Sequence, residues 1–377
     1  MSGSSAAEGG SAPRPAGPPE GIFGQPKGGG AVLVLNAGSS SLKAELFGQG
    51  LESLGQWVVS EIGGAARLKG PEGRREVAAA DIGAALDLVL EGIDLSSLVA
   101  AGHRVVHGGA ALTGAVQVDA GSLAEIAAAV PLAPLHNPAN LAGIRAMAER
   151  LPDLPQTASF DTAFHASMPE VAATYALPEA ERARGLRRYG FHGLSYAGMV
   201  AGWDGPLPGR LLAFHLGNGA SLCAIREGRS VHTSMGYSPL DGLTMGTRTG
   251  AIDGMAVLDM AERHGVAEAG RLLNRESGLK GLAGTNDMAT LLARDDAQAR
   301  FAVEHFCHWA AVHGGAAVVA MGGLDAVAFT GGIGENAGAV RDAILARLAL
   351  FGDIPAHVIP ADEERQIARD CQSVLGL

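Results

Sequence analysis

The sequence predicts an α/β protein in which two related domains face each other across a cleft, and three observations lead to this fold class. Apolar runs of strand length alternate with longer segments whose apolar residues have helical spacing, which is the pattern of α/β proteins. Two segments, 31–47 and 210–228, share the order strand, small-residue turn, strand, and a shift of 180 positions places Ser41 on Ser221. This repetition indicates an internal duplication. A third apparent strand runs into a glycine-rich turn at 331–334.

The other elements are assigned from residue spacing and from cap signals. Residues 1–30 consist mainly of Gly, Pro, Ser and Ala, which predicts a disordered tail before a first strand that begins at Ala31. Asn137 followed by Pro138 is a typical helix start. Helical spacing predicts helices over residues 81–91, 122–129, 137–150, 254–274, 296–321 and 337–350.

The composition of the 377-residue chain disfavours several classes of protein. The 39 acidic residues outnumber the 28 basic ones, for a net charge of −11, whereas a nonspecific nucleic-acid binder needs a basic surface. Cys223, Cys307 and Cys371 are odd in number and far apart, which fits a reducing compartment and neither a disulfide framework nor a Cys-based zinc site. The most apolar stretch, 311–334, contains a histidine and an aspartate and is better explained as core than as a membrane span. We therefore expect a cytoplasmic protein without nucleic-acid or membrane partners.

Both duplicated turns have features of phosphate-binding sites. Residues 36–41 and 217–221 combine glycine flexibility with small hydroxyl side chains and consecutive backbone N–H groups, which can approach phosphate oxygens closely. One such turn alone would be an ordinary hairpin turn, but two in duplicated positions, with the third at 331–334, favour a nucleotide cleft. The sequence contains no G-x-x-x-x-G-K-[ST] motif, which disfavours a P-loop NTPase. It also lacks a dinucleotide-binding G-x-G-x-x-G after a strand.

Nine segments along the chain resemble, in order, those of the acetate kinase family. They are LNAGSSSLK (35–43), GHRVVHGG (102–109), LAPLHNPANL (132–141), FDTAFH (160–165), RRYGFHG (187–193), HLGNGAS (215–221), TSMGYSPLDGLTMGTRTG (233–250), FTGGIGEN (329–336) and ADEERQIARD (361–370). The resemblance implies two duplicated ribonuclease-H-like domains of the actin-like ATPase type with a cleft between them. One domain would comprise 31–163 with 364–377, and the other, which carries the nucleotide site, would comprise 164–363.

The resemblance implies reversible transfer of the γ-phosphoryl group of ATP to acetate, giving acetyl phosphate and ADP by direct in-line transfer. The acceptor carboxylate is ionised at neutral pH, so catalysis needs positioning and fixed positive charge and no general base. Guanidinium groups supply paired donors that suit carboxylate and phosphoryl oxygens. The catalytic residues that the family motifs imply are Arg104, Asp161, His192 and Arg248, of which His192 and Arg248 would stabilise the transition state.

The family motifs also imply the binding residues. Acetate would be held by Arg104 and by an apolar pocket of Val106, Leu135, Phe191 and Pro239. The nucleotide would be bound by Lys43, His215, Leu216, Gly217, Asn218, Gly219, Asp287, Gly332, Ile333, Gly334, Glu335 and Asn336. Asn36 and Glu363 would bind Mg²⁺, or Mn²⁺ in its place, through oxygen atoms. The family is homodimeric, so a homodimer is expected.

The chain departs from the family pattern near these motifs, and two other functions stay open. Leu194-Ser195-Tyr196 stands where the family commonly has Thr-Ser-His, and Ala289 stands where a nucleotide-contacting arginine often lies. One alternative is a kinase for propionate or butyrate, because an extra methylene costs only about 1–3 kcal/mol in an apolar pocket. The other is an actin- or chaperone-like ATPase that hydrolyses ATP without a carboxylate acceptor and binds a protein partner.

Overall fold

The computed structural model describes residues 30–377, which form two mixed β-sheets with helices packed on them. The predicted tail over 1–30 lies outside the described residues, apart from Gly30. The predicted α/β class is confirmed. Within residues 30–377, none of the helices is long and apolar enough to cross a membrane.

The first sheet has eight strands in the order β5-β4-β3-β2-β1-β6-β8-β7. The strands are β1 Ala31–Ala37, β2 Ser41–Phe47, β3 Ser53–Ser60, β4 Arg67–Gly70, β5 Gly73–Glu76, β6 Leu98–Val105, β7 Val116–Gln117 and β8 Gln156–Phe160. The hairpin strands β1 and β2 are antiparallel, and β6 and β8 run parallel to β1. The carboxyl ends of β1, β6 and β8 therefore lie at one edge of the sheet.

The second sheet has five strands in the order β11-β10-β9-β12-β13. They are β9 Arg210–Leu216, β10 Ala220–Arg226, β11 Arg229–Thr233, β12 Ala326–Thr330 and β13 Ala356–Val358. Strands β9, β10 and β11 are successively antiparallel, whereas β12 runs parallel to β9 and β13 runs parallel to β12.

The two sheets share one five-strand plan, as an internal duplication requires. In the first sheet the plan is β3-β2-β1-β6-β8, and in the second it is β11-β10-β9-β12-β13. The first two junctions of each are antiparallel and the last two are parallel. The two glycine-containing turns that were matched by the shift of 180 positions therefore occupy equivalent places in the two sheets. One lies between β1 and β2, and the other lies between β9 and β10.

Helices cover both sheets. The α-helices are α1 Ile82–Leu90, α2 Ala120–Ala128, α3 Asn137–Arg150, α4 Glu170–Ala173, α5 Glu179–Arg182, α6 Gly193–Ala201, α7 Gly254–His264, α8 Val266–Arg275, α9 Gly278–Ala283, α10 Met288–Ala293, α11 Ala297–Met321, α12 Gly331–Asn336, α13 Gly338–Leu348 and α14 Glu363–Leu375. Short 3₁₀ helices cover Leu95–Ser97, Val130–Leu132, Ala163–Ser167 and Ala349–Phe351. The helix predicted over 254–274 is wrong in one respect, because Gly265, with φ of 80°, divides it into α7 and α8.

Each sheet has its own apolar core. Helices α1 and α3 pack on one face of the first sheet through residues such as Leu86 and Met147. The C-terminal helix α14 returns to the other face, where Ile367 and Cys371 contact the core of β1 and β6. In the second sheet, α11 and α13 bury the stacked rings of Phe214 and Phe329, whose centroids are 5.3 Å apart. This arrangement fits the proposed division into 31–163 with 364–377 and 164–363, which stays a prediction.

Helix α6 connects the first sheet to the second through a close backbone contact. The N–H of Gly193 donates to the carbonyl oxygen of Asp161, 2.8 Å away, directly after β8. A Cβ atom on Gly193 would overlap this carbonyl oxygen and would lie 3.0 Å from Cβ of Phe164. Only glycine therefore lets α6 begin so close to the end of β8.

We expect Gly193→Ala to lower the free energy of unfolding by about 1–3 kcal/mol, because backbone has to shift to admit the new methyl group. The matched control is Gly270→Ala inside α8, where a Cβ atom meets nothing within 4 Å and alanine should stabilise the helix by about 0.4–1 kcal/mol. Urea unfolding monitored by circular dichroism measures both changes. Equal stability of the two variants would contradict the close contact.

Candidate active site

Arg104 and Asp161 form a bidentate ion pair at the carboxyl edge of the first sheet. Arg104 lies near the end of β6 and Asp161 directly follows the neighbouring strand β8. Nε of Arg104 lies 3.0 Å from Oδ1 of Asp161, and Nη2 lies 2.7 Å from Oδ2. Two further oxygen groups face the same guanidinium: Oδ1 of Asn36 lies 3.5 Å from Nη1, and Oε2 of Glu363 lies 3.7 Å from Nε. Arg104 is thus surrounded by three other predicted site residues, Asp161, Asn36 and Glu363.

The charges of this cluster stabilise one another. Burial disfavours the charge of Arg104, but Asp161 and Glu363 outweigh this cost and raise its pKa above the ordinary value. Burial raises the pKa of Asp161, and the paired guanidinium opposes that rise. Burial would also raise the pKa of Glu363, but Arg104, His215 and Lys43 lower it below the ordinary value. Arg104 is therefore permanently charged and largely neutralised by its own carboxylates.

Arg248 lies in a different electrostatic environment. It belongs to the long segment between β11 and α7, it is partly buried, and its Nη1 lies 3.3 Å from the carbonyl oxygen of Pro239. Among residues 30–377, no carboxylate pairs with this guanidinium, and burial lowers its pKa. A partly buried cation without a protein counter-ion favours the binding of an anion.

Two stacked histidines lie beside the arginines. The ring centroids of His192 and His215 are 4.1 Å apart, and the rings are inclined by 29°. Burial, followed by the charges of His215 and Arg104, holds the pKa of His192 well below its ordinary value, and burial also lowers the pKa of His215. Both rings are therefore neutral at neutral pH. They can donate hydrogen bonds to an anion without adding charge.

The turn between β9 and β10 brings these groups together. A Cβ atom on Gly219 would lie 3.3 Å from Nε2 of His192 and 3.6 Å from Nη1 of Arg248. Burial lowers the pKa of His136, and the charges of Arg248 and Arg104 lower it further, so both guanidinium groups are close enough to act on this ring. The two arginines, His192 and the glycine turn thus share one region between the sheets.

The β9–β10 turn also packs against the start of α12. The N–H of Gly217 donates to the carbonyl oxygen of Gly219 at 3.0 Å. Leu216, at the buried end of β9, presents its carbonyl oxygen 2.8 Å from where a Cβ atom of Gly331 would lie. Because Gly331 has φ of 79° as well, two constraints require glycine there. The glycine turns at 217–221 and 331–334 therefore form one continuous surface.

The residues of α12 divide into exposed and bracing positions. A Cβ atom on Gly332 would meet nothing within 4 Å, Ile333 is partly buried, and Asn336 is exposed and donates to the carbonyl oxygen of Gly332 at 2.8 Å. Gly334 is buried. Oε1 of Glu335 accepts the backbone N–H groups of Gly331 at 3.1 Å and of residue 361 at 2.9 Å. Glu335 thus braces the turn, and the exposed positions remain free to contact a ligand.

The turn residue Asn218 has a neighbour that the sequence did not indicate. Oδ1 of Asn218 accepts a hydrogen bond from Nδ2 of Asn286 at 3.0 Å, and its carbonyl oxygen accepts from the N–H of Gly246 at 3.0 Å. The adjacent Asp287 caps α10 by accepting from the N–H of Thr290 at 3.0 Å. The structure thus places Asn286 directly against the glycine turn, whereas the side chain of Asp287 is used to cap a helix.

The apolar residues predicted to hold a methyl group are placed unequally. Val106 and Phe191 are buried in one core cluster. Pro239 is partly buried and bonds Arg248 through its carbonyl oxygen. Leu135 is 53% exposed. Pro239 thus contacts Arg248 directly, whereas Val106 and Phe191 belong to the apolar core and Leu135 is exposed to solvent.

Two buried asparagines of α3 hold this side of the site, and the sequence analysis did not select them. Oδ1 of Asn140 accepts the N–H of Val106 at 3.1 Å, and its Nδ2 donates to the carbonyl oxygen of Ala37 at 2.8 Å. Asn137 makes a similar pair of bonds with the backbone of His107, at 3.1 and 2.9 Å. Two asparagines three residues apart in the first turn of the helix were the signal that could have found them.

Oxygen ligands for a cation lie beside Arg104. Asn36 offers an amide oxygen, and Glu363 offers a carboxylate that its surroundings keep ionised. Lys43, exposed on β2 opposite Asn36, is close enough for its charge to act on the same carboxylate. Within the described residues, no three His, Cys, Asp or Glu side chains converge on one metal position. The donor set therefore fits Mg²⁺, which prefers oxygen and keeps several of its waters, and does not fit a metal held wholly by protein.

We expect the two arginines to differ in their effect on stability. Arg104→Met leaves Asp161 buried without its partner and should cost about 3–5 kcal/mol of unfolding free energy. Arg248→Met removes a partly buried charge that has no counter-ion and should cost less than about 1 kcal/mol. Urea unfolding of both variants measures the difference. In thermal melts, added sulfate should raise the melting temperature of the wild type but not that of Arg248→Met. Similar losses in the two variants would contradict this contrast.

Comparisons with known proteins agree with this geometry. The profile of the Acetokinase family matches residues 31–373. The chain is 42% identical over 396 residues to the acetate kinase of Streptomyces avermitilis, covering 92% of this chain and 97% of the relative, and 43% identical over 391 residues to that of Deinococcus radiodurans, covering 92% and 98%. Among solved structures, an acetate kinase from Porphyromonas gingivalis is 32% identical with a TM-score of 0.85, and a propionate kinase from Francisella tularensis is 36% identical with the same score; each comparison covers 92% of this chain and 100% of the other. The resemblance found in the sequence motifs is thereby confirmed, and the chain belongs to the acetokinase family.

Proposed function

We propose that this protein is an acetate kinase, which transfers the γ-phosphoryl group of ATP to acetate and catalyses the reverse reaction. Its family membership supports a carboxylate-directed phosphotransferase. The observation that carries the proposal is the guanidinium of Arg248, which lacks a carboxylate partner among residues 30–377 and lies against the Gly219 turn and His192. That position suits a phosphoryl group in transfer between two anions.

The two arginines take separate roles in the reaction. Arg104 is held by Asp161 in one orientation, so its remaining donors can align the acceptor carboxylate without a large loss of side-chain entropy. Arg248 keeps its full charge for the phosphoryl oxygens, which carry negative charge throughout the transfer. His192, neutral and beside both arginines, contributes a hydrogen bond to the same oxygens. The acceptor is already ionised, so these residues position the reactants and stabilise charge, and none acts as a general base.

The glycine turns are proposed to bind the nucleotide. The N–H groups of Gly217 and Gly331 are already bonded within the turns, so the N–H groups of Asn218, Gly219 and Gly332 would be the ones to bind the phosphates. Ile333 and Asn336 would contact the adenosine part, and Asn286 would hold the turn through Asn218. The family relation supports ATP and ADP as the co-substrates.

Mg²⁺ is proposed to accompany the nucleotide near Asn36 and Glu363. When bound, it would neutralise part of the charge of the phosphates. Asn36 and Glu363 would hold it or its waters, and Arg104 keeps Glu363 ionised and in place at 3.7 Å.

Acetate is proposed over longer acids because the family motifs imply a small apolar pocket that includes Val106 and Phe191, both of which are buried. An extra methylene costs about 1–3 kcal/mol in such a pocket, so propionate should be a poorer substrate. The structural relationship to a propionate kinase makes this comparison worth measuring.

A hydroxamate assay with ATP and Mg²⁺ tests the function directly. We expect kcat/KM for acetate to exceed that for propionate, and that for propionate to exceed that for butyrate. Arg248→Ala should lower kcat by about 10³-fold, the scale of a lost transition-state donor. Arg67→Ala is the matched control, because Arg67 is exposed and pairs with Glu61 at 3.1 Å far from these residues. Faster turnover of butyrate would reverse the proposed specificity, and ATP hydrolysis without acyl phosphate would favour an ATPase.

We also infer that the protein is a cytoplasmic homodimer. Three unpaired cysteines and the need for ATP favour the cytoplasm. Along α11, Phe301, Trp309, Val312 and Val319 are 55%, 39%, 46% and 77% exposed and share one face at helical spacing. An exposed stripe of this kind, in which His305 and His308 lie between the apolar side chains, suits self-association of two identical helices about a two-fold axis. We propose that a second copy of the chain covers it.

Size-exclusion chromatography with light scattering tests this assembly. We expect a mass of about twice 38.2 kDa for the wild type, and a monomer for Val312→Glu, because a charge in the centre of the stripe would have to be buried. Val171→Glu is the control, since Val171 is 87% exposed on α4, away from the stripe. A monomeric wild type, or a dimeric Val312→Glu, would contradict the proposed interface.

A further inference from the structure

Three side chains on one face of α6 meet two side chains of the β9–β10 hairpin. His192, at the N-terminus of α6, is followed by Ser195 and Tyr196 at spacings of three and four, so all three lie on one face. His215 and Ser221 are direct partners in the antiparallel register, so they share a face of the sheet. The contacts pair the two groups: Ser195 Oγ lies 2.8 Å from Nδ1 of His215, and Ser221 Oγ lies 2.9 Å from Nδ1 of His192.

The hydroxyl of Tyr196 extends this network by one further bond. It lies 2.5 Å from Oγ of Ser221, and both residues are completely buried. A tyrosine at this position is one of the departures from the family pattern noted in the sequence. The hydrogen-bond chain Tyr196–Ser221–His192 therefore contains a residue that the relationship to other acetokinases did not lead us to expect.

We propose that Tyr196 and Ser221 form a relay that holds the proton of the neutral His192 ring on Nε2, the nitrogen that faces Gly219 and Arg248. Ser221 is thus the positioning residue, and Tyr196 supports it by donating to the Ser221 oxygen. The importance of this proton for catalysis rests on the proposed function, but its location does not.

The direction of the relay follows from the count of donors. Among the described residues, Ser221 Oγ is the only hydrogen-bond partner of the buried Tyr196 hydroxyl, so the phenol O–H donates to it. The Ser221 hydroxyl then needs an acceptor of its own. Among the described residues its oxygen bonds only Tyr196 and His192, so Nδ1 of His192 has to accept. With the proton on Nδ1 instead, a buried hydroxyl hydrogen would have no partner, at the cost of its desolvation.

The backbone fixes the His192 ring, so that the relay decides only where its proton lies. His192 has φ of 58°, and the residue after it is tied to Asp161 by a backbone hydrogen bond of 2.8 Å. On the other side, the buried ring of His165 donates from Nε2 to the carbonyl oxygen of Phe191 at 2.9 Å. Stacking on His215 completes the support. With Nδ1 occupied by Ser221, Nε2 is the ring nitrogen that a ligand in the cleft can reach.

The site of this proton decides whether His192 attracts or repels an anion. A protonated Nε2 donates a hydrogen bond to a phosphoryl oxygen near the Gly219 turn. An unprotonated Nε2 would direct a lone pair at the same oxygen. Setting the tautomer in advance therefore avoids a reorganisation cost during transfer.

Nitrogen-15 NMR of the full-length protein, labelled at both imidazole nitrogens of histidine, tests the relay at neutral pH. The signal of His192 is assigned as the one missing from His192→Gln. We expect a protonated Nε2 and an unprotonated Nδ1 in the wild type. In Ser221→Ala we expect the Nδ1-protonated form to appear, with kcat lowered by about 10-fold and KM values unchanged. In Tyr196→Phe the Ser221 O–H still has Nδ1 of His192 as its acceptor, so we expect the Nε2-protonated form to remain.

The control is Tyr189→Phe, which removes a tyrosine hydroxyl that donates to the carbonyl oxygen of Gly185 at 3.1 Å; it should leave the His192 tautomer unchanged. A wild-type proton on Nδ1 would overturn the relay. An unchanged tautomer in Ser221→Ala would also overturn it, even with a loss of kcat, because the Ser221 hydroxyl would then not decide where the proton lies. A chain that phosphorylates no carboxylate would refute the proposed function while the NMR result still decided the relay.

Discussion

The ion pair between Arg104 and Asp161 is the contact on which the geometry of the site depends. It joins the ends of two neighbouring parallel strands, and the carbonyl oxygen of Asp161 then accepts the N–H of Gly193 at the start of α6. Because α6 begins at this contact, the end of the first sheet fixes the position of His192. His192 in turn contacts Ser221 of the β9–β10 hairpin in the second sheet. One buried carboxylate residue thus sets the distance between a guanidinium from one sheet and a glycine turn from the other.

The two arginines show how an acidic protein can bind anions. Arg104 is surrounded by carboxylate and amide oxygens, so its charge is largely used for structure. Arg248 meets carbonyl oxygen and sulfur instead of carboxylate, so its charge is available to a ligand. The histidines between them are neutral because burial and neighbouring cations lower their pKa values. Positive potential is therefore concentrated at one guanidinium while the net charge of the chain stays at −11.

Much of the fold followed from local signals, and the failures have local causes. Helix α3 has the predicted bounds, because Asn137-Pro138 starts it unambiguously. The helix over 254–274 is broken because Gly265 adopts a positive φ, which spacing alone does not reveal. In the site, the motifs assigned roles to the arginines and His192, but not to Asn137, Asn140 or Asn286, whose importance comes from partners far away in sequence.

The sequence by itself determined the α/β class, the duplicated strand–turn–strand units and the family, because repeats, periodicity and motifs are properties of residue order. The tertiary structure alone decided which charges are neutralised and which remain free. It showed that Glu335 and Asp287 satisfy backbone N–H groups, and that Tyr196 reaches the active-site histidine through Ser221. Hydrogen bonds and ion pairs depend on distances of a few ångströms between residues remote in the chain, and only the packing of α6 between the two sheets sets those distances.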